Sequence, residues 1–377
     1  MKSVTEVKVY AYVADSGNDN TILAVNGSNV TTGGDSGFQV YTVSVSGLQT
    51  IAYKYKSGSG PYVYLTGVSV SINGGTHQEL IDGQTGFGNP DATPGARGLF
   101  TGGYKSSAGT TDKINYVNIA STGNAIEFGT LSSGADQDIV PCGASRTRGV
   151  FRDGNSASMT FVTFASTGNS VTFGNSGLTG NRANGLSNET RGIHGGGNDS
   201  NRNQMEYITI ASTGNAVDFG NLVTGAFSPG TGASATRGIF AGCATHPSNS
   251  GNAIEFVTIA TLGNAQDFGD LSAGGSTYQT NSSSNSTRMF ALQGFTIDKI
   301  QIQTLGNAVD FGDTSSSTSP GGGASSPTRA LFAGGNDPAV IIEYINIATE
   351  GNAVNFGNLT YDKNRHGCGM SNGHGGL

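Results

Sequence analysis

The sequence predicts an all-β chain, in which a six-bladed β-propeller follows a small β-sandwich domain. One stretch recurs six times from residue 97 onward, and its copies lie 43 to 49 residues apart. A repeat of that length is typical of solenoids, propellers and arrays. The first 80 residues lack the repeat and alternate apolar with polar positions, as half-buried strands do. The phenylalanines that mark the copies are Phe128, Phe173, Phe219, Phe268, Phe311 and Phe356.

The N-terminal part consists of short alternating runs separated by turn signals. Alternation is clear over residues 7–13, 43–45, 51–53 and 68–72, with Gly-rich breaks between them. About six short strands in 80 residues indicate a small antiparallel β-sandwich. We therefore divide the chain into a sandwich at 1–80, a junction at 81–94 and the propeller at 95–377.

Each repeat contains three strand-like pieces and a smaller fourth one. The first piece begins at the recurring arginine, the second resembles residues 114–120, and the third ends at the recurring phenylalanine. Gly-Asn stands between the second and third pieces, and this dipeptide predicts a tight hairpin there. The Ser- and Gly-rich piece ahead of each arginine suits an innermost strand at a crowded axis. Four strands per repeat predict six propeller blades; a solenoid, the alternative, would need polar caps that the sequence lacks.

The two ends of the array predict how the ring closes. After Phe356 the chain has room for one more inner strand, at about residues 367–372, and no further arginine piece follows. Only 10 residues separate Phe87 from Arg97, which is too few for an inner strand of the first blade. We therefore expect residues 367–372 to pair beside residues 97–103, with Cys368 and Met370 filling space near the axis. A ring closed in this way has no long exposed edge.

The recurring arginines admit two interpretations. They could form a ring of charge that grips an anionic sugar or phosphate, or each could tie its blade to the next through a carbonyl or a carboxylate. The second is favoured because a ligand site rarely needs six equal copies. The candidate carboxylates precede the phenylalanines, at Glu127, Asp218, Asp267 and Asp310. The structural repeat arginines are Arg97, Arg148, Arg191, Arg237, Arg288 and Arg329.

Four tyrosines of the N-terminal part are the candidate carbohydrate-binding residues. They cluster around the Ser57-Gly-Ser-Gly60 turn, and aromatic faces suit sugar rings. Ordinary strand tyrosines on a half-buried sheet are the alternative. These residues are Tyr53, Tyr55, Tyr62 and Tyr64.

Metal and cofactor sites are not predicted. The three cysteines, at 142, 243 and 368, are far apart and fit buried small hydrophobes better than a disulfide framework or a zinc site. The five histidines lack metal-ligand spacing, although His366 and His374 could approach each other near the closure. His194 replaces a repeat phenylalanine, so we expect it to be packed within a strand. Aspartates in the N-terminal turns, at 15, 19 and 35, could hold calcium or cap their own backbone.

Charge and hydropathy exclude two classes of partner, nucleic acid and the membrane interior. The net charge is −7 without a basic stretch, which argues against nucleic-acid binding. No apolar run approaches a membrane span, and the alternating start does not resemble a signal peptide. We therefore expect no membrane insertion.

The repeat resembles the kelch repeat. A Gly-Gly doublet precedes an aromatic residue in three copies, as at Gly195-Gly196 and Tyr207. Kelch blades also carry a tryptophan, whereas this chain has none and places phenylalanine in the matching region. The doublet is missing from the second, fourth and fifth copies. The resemblance implies a kelch-like propeller.

The amino-acid sequence of the repeat is similar to that of repeats in virion and tail-fibre-like proteins of tailed bacteriophages, notably marine cyanophages. The clearest copies read Thr-Arg-Gly-Ile-Phe-Ala-Gly and Ile-Ala-Ser-Thr-Gly-Asn-Ala-Val-Asp-Phe-Gly-Asn-Leu, and the similarity covers about residues 97–377. It implies a non-enzymatic virion protein, made in the host cytoplasm and located on the tail or outer surface, that contacts other virion proteins and displays its propeller for attachment to a host-surface glycan. It also implies homo-oligomeric contacts, which we expect the sandwich to make. The N-terminal part resembles small β-sandwich modules of such proteins and of carbohydrate-binding modules, so residues 1–80 are a candidate carbohydrate-binding or virion-attachment module. Alternatives are a purely structural tail, nozzle or capsid-decoration component and, less favoured, a polysaccharide depolymerase, which would need a pair of carboxylates.

Overall fold

The computed structural model describes two stretches of the chain. In the N-terminal part it describes the strand backbones at 4–13, 21–25, 28–30, 37–44, 51–55, 63–72 and 78–81. From residue 96 it describes the chain to 373, without 106–108, 133–137, 199–201, 244–250, 273–280, 316–320, 335–339 and 362–366. All regular structure in these residues is β, so the predicted all-β class is confirmed. The chain forms two compact units, Met1–Pro94 and Gly95–Leu377.

The N-terminal unit contains two antiparallel sheets. Its seven strands are Val4–Val13, Thr21–Val25, Ser28–Val30, Gly37–Ser44, Ile51–Tyr55, Val63–Ile72 and Gln78–Ile81. The first, fourth, sixth and seventh of these form one sheet, with the first strand between the fourth and the sixth. The second, third and fifth form the other sheet, with the second strand in the middle. Two antiparallel sheets are the components of the predicted sandwich.

The second unit is a six-bladed β-propeller, as predicted. Each blade is a four-stranded antiparallel sheet, whose strands we call inner, arginine, third and outer, counted from the axis outward. The third strand is formed by the second piece of the repeat, and the outer strand is formed by the piece that ends at the recurring phenylalanine. In that order, blade 1 consists of Cys368–Ser371, Arg97–Thr101, Lys113–Asn118 and Ile126–Thr130, blade 2 of Val140–Ala144, Arg148–Arg152, Ser158–Thr163 and Val171–Asn175, and blade 3 of Ala183–Ser187, Arg191–Gly196, Gln204–Thr209 and Val217–Asn221. Blade 4 consists of Gly230–Ala233, Arg237–Cys243, Ala253–Thr258 and Gln266–Asp270, blade 5 of Asn281–Ser284, Arg288–Gln293, Thr296–Gln301 and Val309–Asp313, and blade 6 of Gly321–Ser325, Arg329–Gly334, Ile341–Asn346 and Val354–Asn358. A two-stranded hairpin, Tyr104–Lys105 with Gly109–Thr110, extends blade 1.

Burial follows the position of each strand in its blade. The arginine strands are buried on both faces because a neighbouring blade packs on each side. The recurring phenylalanine of the outer strand is buried as well, and in five blades it meets the aromatic residue of the third strand edge-on. In blade 2, for example, the ring centroids of Phe161 and Phe173 are 6.0 Å apart. Such edge-to-face pairs add stability beyond area burial alone, and they explain why both aromatic positions recur.

The ring closes as the sequence predicts. The strand Cys368–Ser371 pairs antiparallel with Arg97–Thr101, with Cys368 opposite Thr101 and Met370 opposite Leu99. Cys368 and Met370 are both buried. The C-terminal strand thus supplies the inner strand of blade 1.

Asn372 rebuilds at the closure a turn that the other blades contain within one chain segment. In blade 3, the Asn188 side chain accepts the amide N–H of Arg191, and the Asn188 N–H donates to the Arg191 carbonyl at 3.1 Å. At the closure, the Asn372 side chain accepts the Arg97 N–H at 2.8 Å, and the Asn372 N–H donates to the Arg97 carbonyl at 3.3 Å. The same two bonds therefore join residues 275 positions apart.

The tight hairpin predicted at Gly-Asn is wrong. Seven residues separate the third strand from the outer strand in every blade, as from Asn118 to Ile126. The Gly-Asn-Ala segment instead bonds to the outer strand of the preceding blade. In blade 3, the N–H groups of Gly214 and Ala216 donate to the carbonyls of Phe173 and Asn175 in blade 2. We call this six-fold contact the outer clasp; its segments are 123–125, 168–170, 214–216, 263–265, 306–308 and 351–353.

Candidate functional site

The six repeat arginines lie at the blade boundaries. Each guanidinium donates to a backbone carbonyl of the following blade, at 2.6 to 2.9 Å. In five blades it also stacks over the third-strand aromatic, 4.5 to 5.0 Å from the ring centroid. The arginine–acceptor pairs are Arg97 with Phe164, Arg148 with Ala211, Arg191 with Ile259, Arg237 with Ile302, Arg288 with Ile347, and Arg329 with Ala120. The carbonyl, rather than the carboxylate, is therefore the partner.

The carboxylates that the sequence offered to these arginines lie elsewhere. Glu127, Asp218, Asp267 and Asp310 are all exposed on the outer strands. Glu127 pairs with Lys113 of its own blade at 3.3 Å. Their position next to the buried phenylalanine places them on the opposite face of the strand, because successive side chains alternate.

A second set of polar residues was missed by the sequence reasoning. It occupies the third residue of the third strand, directly after a buried apolar residue, and is itself buried in every case but the partly buried Glu206. There Glu255 accepts the N–H groups of Val223 and Thr224, which follow the outer strand of the preceding blade. Asp298 binds Ser272 in the same way, and Asn115 binds Thr360 across the closure. The sequence did contain a signal for this set, namely a polar residue at a strand position where a buried residue is expected. The set is Asn115, Glu206, Glu255, Asp298 and Glu343.

Blades 2 and 3 enclose a serine, a histidine and a glutamate that resemble catalytic residue types. The Ser176 hydroxyl donates to Glu206 at 2.7 Å, and its oxygen lies 3.1 Å from Nε2 of His194. A nucleophilic serine would instead give its proton to the histidine. His194 is also fully buried, so no substrate reaches it. Burial, together with the nearby Arg152, lowers the His194 pKa to about 3. The expectation that His194 is a packed strand residue is confirmed, and the cluster is structural.

The propeller axis contains a narrow cavity of about 140 Å³, lined by the inner strands of all six blades. Hydroxyl groups on its wall hydrogen-bond from blade to blade. Ser187 donates to the Ala144 carbonyl, Ser282 to that of Thr231, and Ser371 to that of Ser325. Most of the wall is thus engaged in holding the inner strands together. The space suits on the order of ten water molecules.

One end of the cavity differs from the rest of the wall. This mouth lies where the inner strands of blades 3 and 4 begin, and it is lined by Arg182, Asn184 and Ser228. Arg182 and Ser228 have backbone φ angles of 60° and 52°, in the left-handed region. The Ser228 N–H donates to the Arg182 carbonyl at 2.7 Å. The Arg182 guanidinium lies over the Phe227 ring, 5.0 Å from its centroid. We call Arg182, Asn184, Phe227 and Ser228 the mouth cluster.

The candidate carbohydrate-binding tyrosines do not share one strand. Tyr53 and Tyr55 lie two positions apart on Ile51–Tyr55, in the three-stranded sheet. Tyr64 lies on Val63–Ile72, in the four-stranded sheet, and Tyr62 lies outside the described residues. Carbohydrate binding at these positions stays a prediction.

The four histidines other than His194 and the three aspartates of the N-terminal turns also lie outside the described residues. They are His77, His246, His366, His374, Asp15, Asp19 and Asp35. Within the described part of the chain, no three His, Cys, Asp or Glu residues group as a metal site would require. The three cysteines are buried, as expected.

The proposed function rests on the fold, on the candidate site and on the repeat sequence. In the part of the chain that the structure describes, no helix is long and apolar enough to cross a membrane. No protein-family model and no curated protein matches the sequence.

Proposed function

We propose that this chain is a non-enzymatic virion protein of a tailed bacteriophage, associated with the tail, that displays its propeller for attachment to the host surface. The sequence similarity of the repeat to repeats of phage tail-fibre-like proteins supports a role in the virion. The observation that carries the display role is that the recurring polar groups bond across blade boundaries. The arginines, the buried third-strand carboxylates and the outer clasp all join one blade to the next. A repeat used in this way builds a rigid platform.

The buried carboxylates favour binding over catalysis. Glycosidases use two carboxylates about 5–9.5 Å apart at a scissile bond. Here Glu255 and Asp298 are each 1% exposed. From the preceding blade, Glu255 receives the N–H groups of Val223 and Thr224, and Asp298 receives the N–H and the hydroxyl of Ser272. Both therefore hold loops in place. A polysaccharide depolymerase remains the less favoured alternative.

A purely structural virion component is the second candidate. The double closure of the ring favours it, because the inner strand and the outer clasp both join blade 6 to blade 1. A ring without free edges suits a permanent part of a tail, nozzle or capsid decoration. In either role the partners are other virion proteins and further copies of this chain, and the location is the virion tail or outer surface. A host-surface glycan is the partner that attachment adds.

Two measurements on phage particles test the proposal. Mass spectrometry and immunogold labelling of purified particles are expected to place the protein on the tail. Purified full-length protein is expected to bind host cells and to compete with phage adsorption. Absence from purified particles would refute the virion role. Presence in particles without cell binding would favour the structural candidate, and shortening of host polysaccharide would favour the depolymerase.

A further inference from the structure

Arg182 differs from the repeat arginines in having no acceptor among the described residues. Its Nε is buried without a hydrogen-bond partner, and no described carbonyl or carboxylate receives its guanidinium. By contrast, Arg191 in the same blade donates to the Ile259 carbonyl at 2.8 Å. A buried donor without a partner is destabilising. Arg182 also lines the cavity, so its terminal N–H groups, rather than the buried Nε, are the donors that a ligand there can meet.

Backbone strain coincides with this arginine. Arg182 and Ser228 are the two non-glycine residues with left-handed φ in the described part of the chain, and they are hydrogen-bonded to each other. Such residues are strained and cluster at ligand sites, where the surrounding structure holds them. Both line the mouth of the cavity. The Ser228 hydroxyl makes no hydrogen bond to any described residue, so the two strained residues offer adjacent free donors.

Charge at the mouth favours an anion. Arg202 lies over the same Phe227 ring as Arg182, 5.1 Å from the centroid. The two guanidinium groups are therefore no more than about 10 Å apart, so a second positive group lies near Arg182. Asp138 is the acidic residue of the cavity lining, and it is only 2% exposed. The charged group that a ligand can reach is the Arg182 guanidinium.

We infer that the mouth cluster binds the carboxylate of an acidic saccharide, with Arg182 as its bidentate partner. A planar guanidinium matches a carboxylate with two parallel hydrogen bonds, and the Ser228 hydroxyl lies beside it as a further donor. The cavity is smaller than the roughly 300–1,000 Å³ of sites for drug-sized ligands, so it admits one sugar residue at the end of a glycan. The choice of a saccharide rests on the proposed attachment function.

Titration of the full-length protein with glucuronate and with glucose tests this inference. Glucuronate is expected to bind with a dissociation constant of roughly 1 mM, and more weakly at high salt. Glucose, which lacks the carboxylate, is expected to bind at least tenfold more weakly. Equal binding of the two sugars, or no glucuronate binding, would overturn the inference.

Two variants separate the site from the fold. Arg182→Gly removes the guanidinium and accepts the left-handed backbone, so it should melt no lower than the wild type and lose at least tenfold in glucuronate affinity. Ser228→Gly should likewise keep its melting temperature and bind several-fold more weakly. Lys113→Gln, which removes one positive charge on the outer surface of blade 1, should bind glucuronate as the wild type does. Unchanged affinity in Arg182→Gly would reject the site.

The result of the glucuronate titration can be distinguished from the result of the adsorption and particle experiments. A protein that competes for adsorption but does not bind glucuronate keeps the proposed function and loses this site. A protein that binds glucuronate through Arg182 but is absent from particles keeps the site and loses the virion role.

Discussion

The glycine after each recurring phenylalanine is required by the neighbouring blade. A Cβ atom on Gly174 of blade 2 would lie 2.0 Å from the carbonyl oxygen of Gly214 in blade 3. The same clash recurs at Gly129 and Gly357, against the glycines at 168 and 123. Real Cβ atoms do not approach backbone oxygens this closely, so the blades would have to separate. The Phe-Gly and Gly-Asn motifs therefore recur as two sides of one contact.

A matched pair of alanine variants tests this contact. Gly174→Ala is expected to lower the free energy of unfolding by about 1–3 kcal/mol, as overpacking does. Gly214→Ala faces the same boundary from the other side, but its Cβ would meet nothing within 4 Å. It should change stability by less than about 0.5 kcal/mol. Urea unfolding of both variants measures the difference, and equal effects would disprove the steric explanation.

His194 makes stability depend on pH. Its folded pKa of about 3 lies below the usual 6.5, because burial and the Arg152 charge disfavour its protonation. Above pH 6.5 the histidine is neutral whether folded or unfolded. As the pH falls from 6.5 towards 3, the unfolded chain gains a proton that the folded chain refuses. Stability should therefore fall by up to about 1.4 kcal/mol per pH unit from this residue.

Replacing His194 with phenylalanine removes this dependence. Phenylalanine occupies the equivalent buried position in four other blades, for example at Phe240. His194→Phe should flatten the decline in unfolding free energy between pH 6.5 and 4, measured by urea titration at each pH. His194→Gln is the polar control, since it also lacks the titrating group. An unchanged slope in both variants would assign the pH dependence to groups other than His194.

At the scale of strands, the period of the sequence predicted more than its turns did. The repeat length and the arginine and phenylalanine positions predicted four strands per blade and the closing strand, because each marks a fixed point of one sheet. The Gly-Asn segment was misread because a dipeptide reports local φ preferences and cannot show that its partner is another blade. The buried carboxylates were missed for the same reason: Glu255 binds a loop 31 residues upstream.

The closing strand should be essential for the stability of the ring. Deleting residues 365–377 removes Cys368–Ser371 and leaves the edge of Arg97–Thr101 unpaired. The expected result is a large loss of stability and association through the exposed edge. Deletion of residues 374–377, which keeps Asn372 and its bonds to Arg97, is the control and should melt like the full chain. Thermal melting with light scattering distinguishes these outcomes, and a silent longer deletion would contradict the closure.

The whole propeller is closed twice, once near its axis and once at its outer rim. At the axis Ser371 donates to the Ser325 carbonyl, and at the rim Gly123 donates to the Phe356 carbonyl. Every blade therefore has two neighbours, unlike the terminal units of a linear array. The mouth cluster could not be predicted from the repeat, because Arg182 and Ser228 lie in loops where the copies differ in sequence. The left-handed φ angles that distinguish the two residues cannot be read from the sequence either.

Cysteine reactivity can show whether the ring unfolds as one unit. Cys142, Cys243 and Cys368 lie in blades 2, 4 and 1, and all are buried. Burial raises the pKa of Cys142 to about 12 and that of Cys243 well above 9.0. Thiol reagents should therefore label none of them in the folded protein. In a urea series read by mass spectrometry, all three should become reactive in a single transition. Labelling of one blade at clearly lower urea would indicate independent unfolding.

The closure between Asn372 and Arg97 also sets an order in time. A ribosome that adds roughly 5–20 residues per second needs about 15–55 s to make the 275 residues between them. For that interval blade 1 has three strands, and the inner edge of Arg97–Thr101 has no partner. Neighbouring chains on the same messenger RNA carry the same open edge at the same stage. The newly made protein is thus exposed to misassembly until Cys368–Ser371 has been made, and pairing of this strand with Arg97–Thr101 removes that exposure.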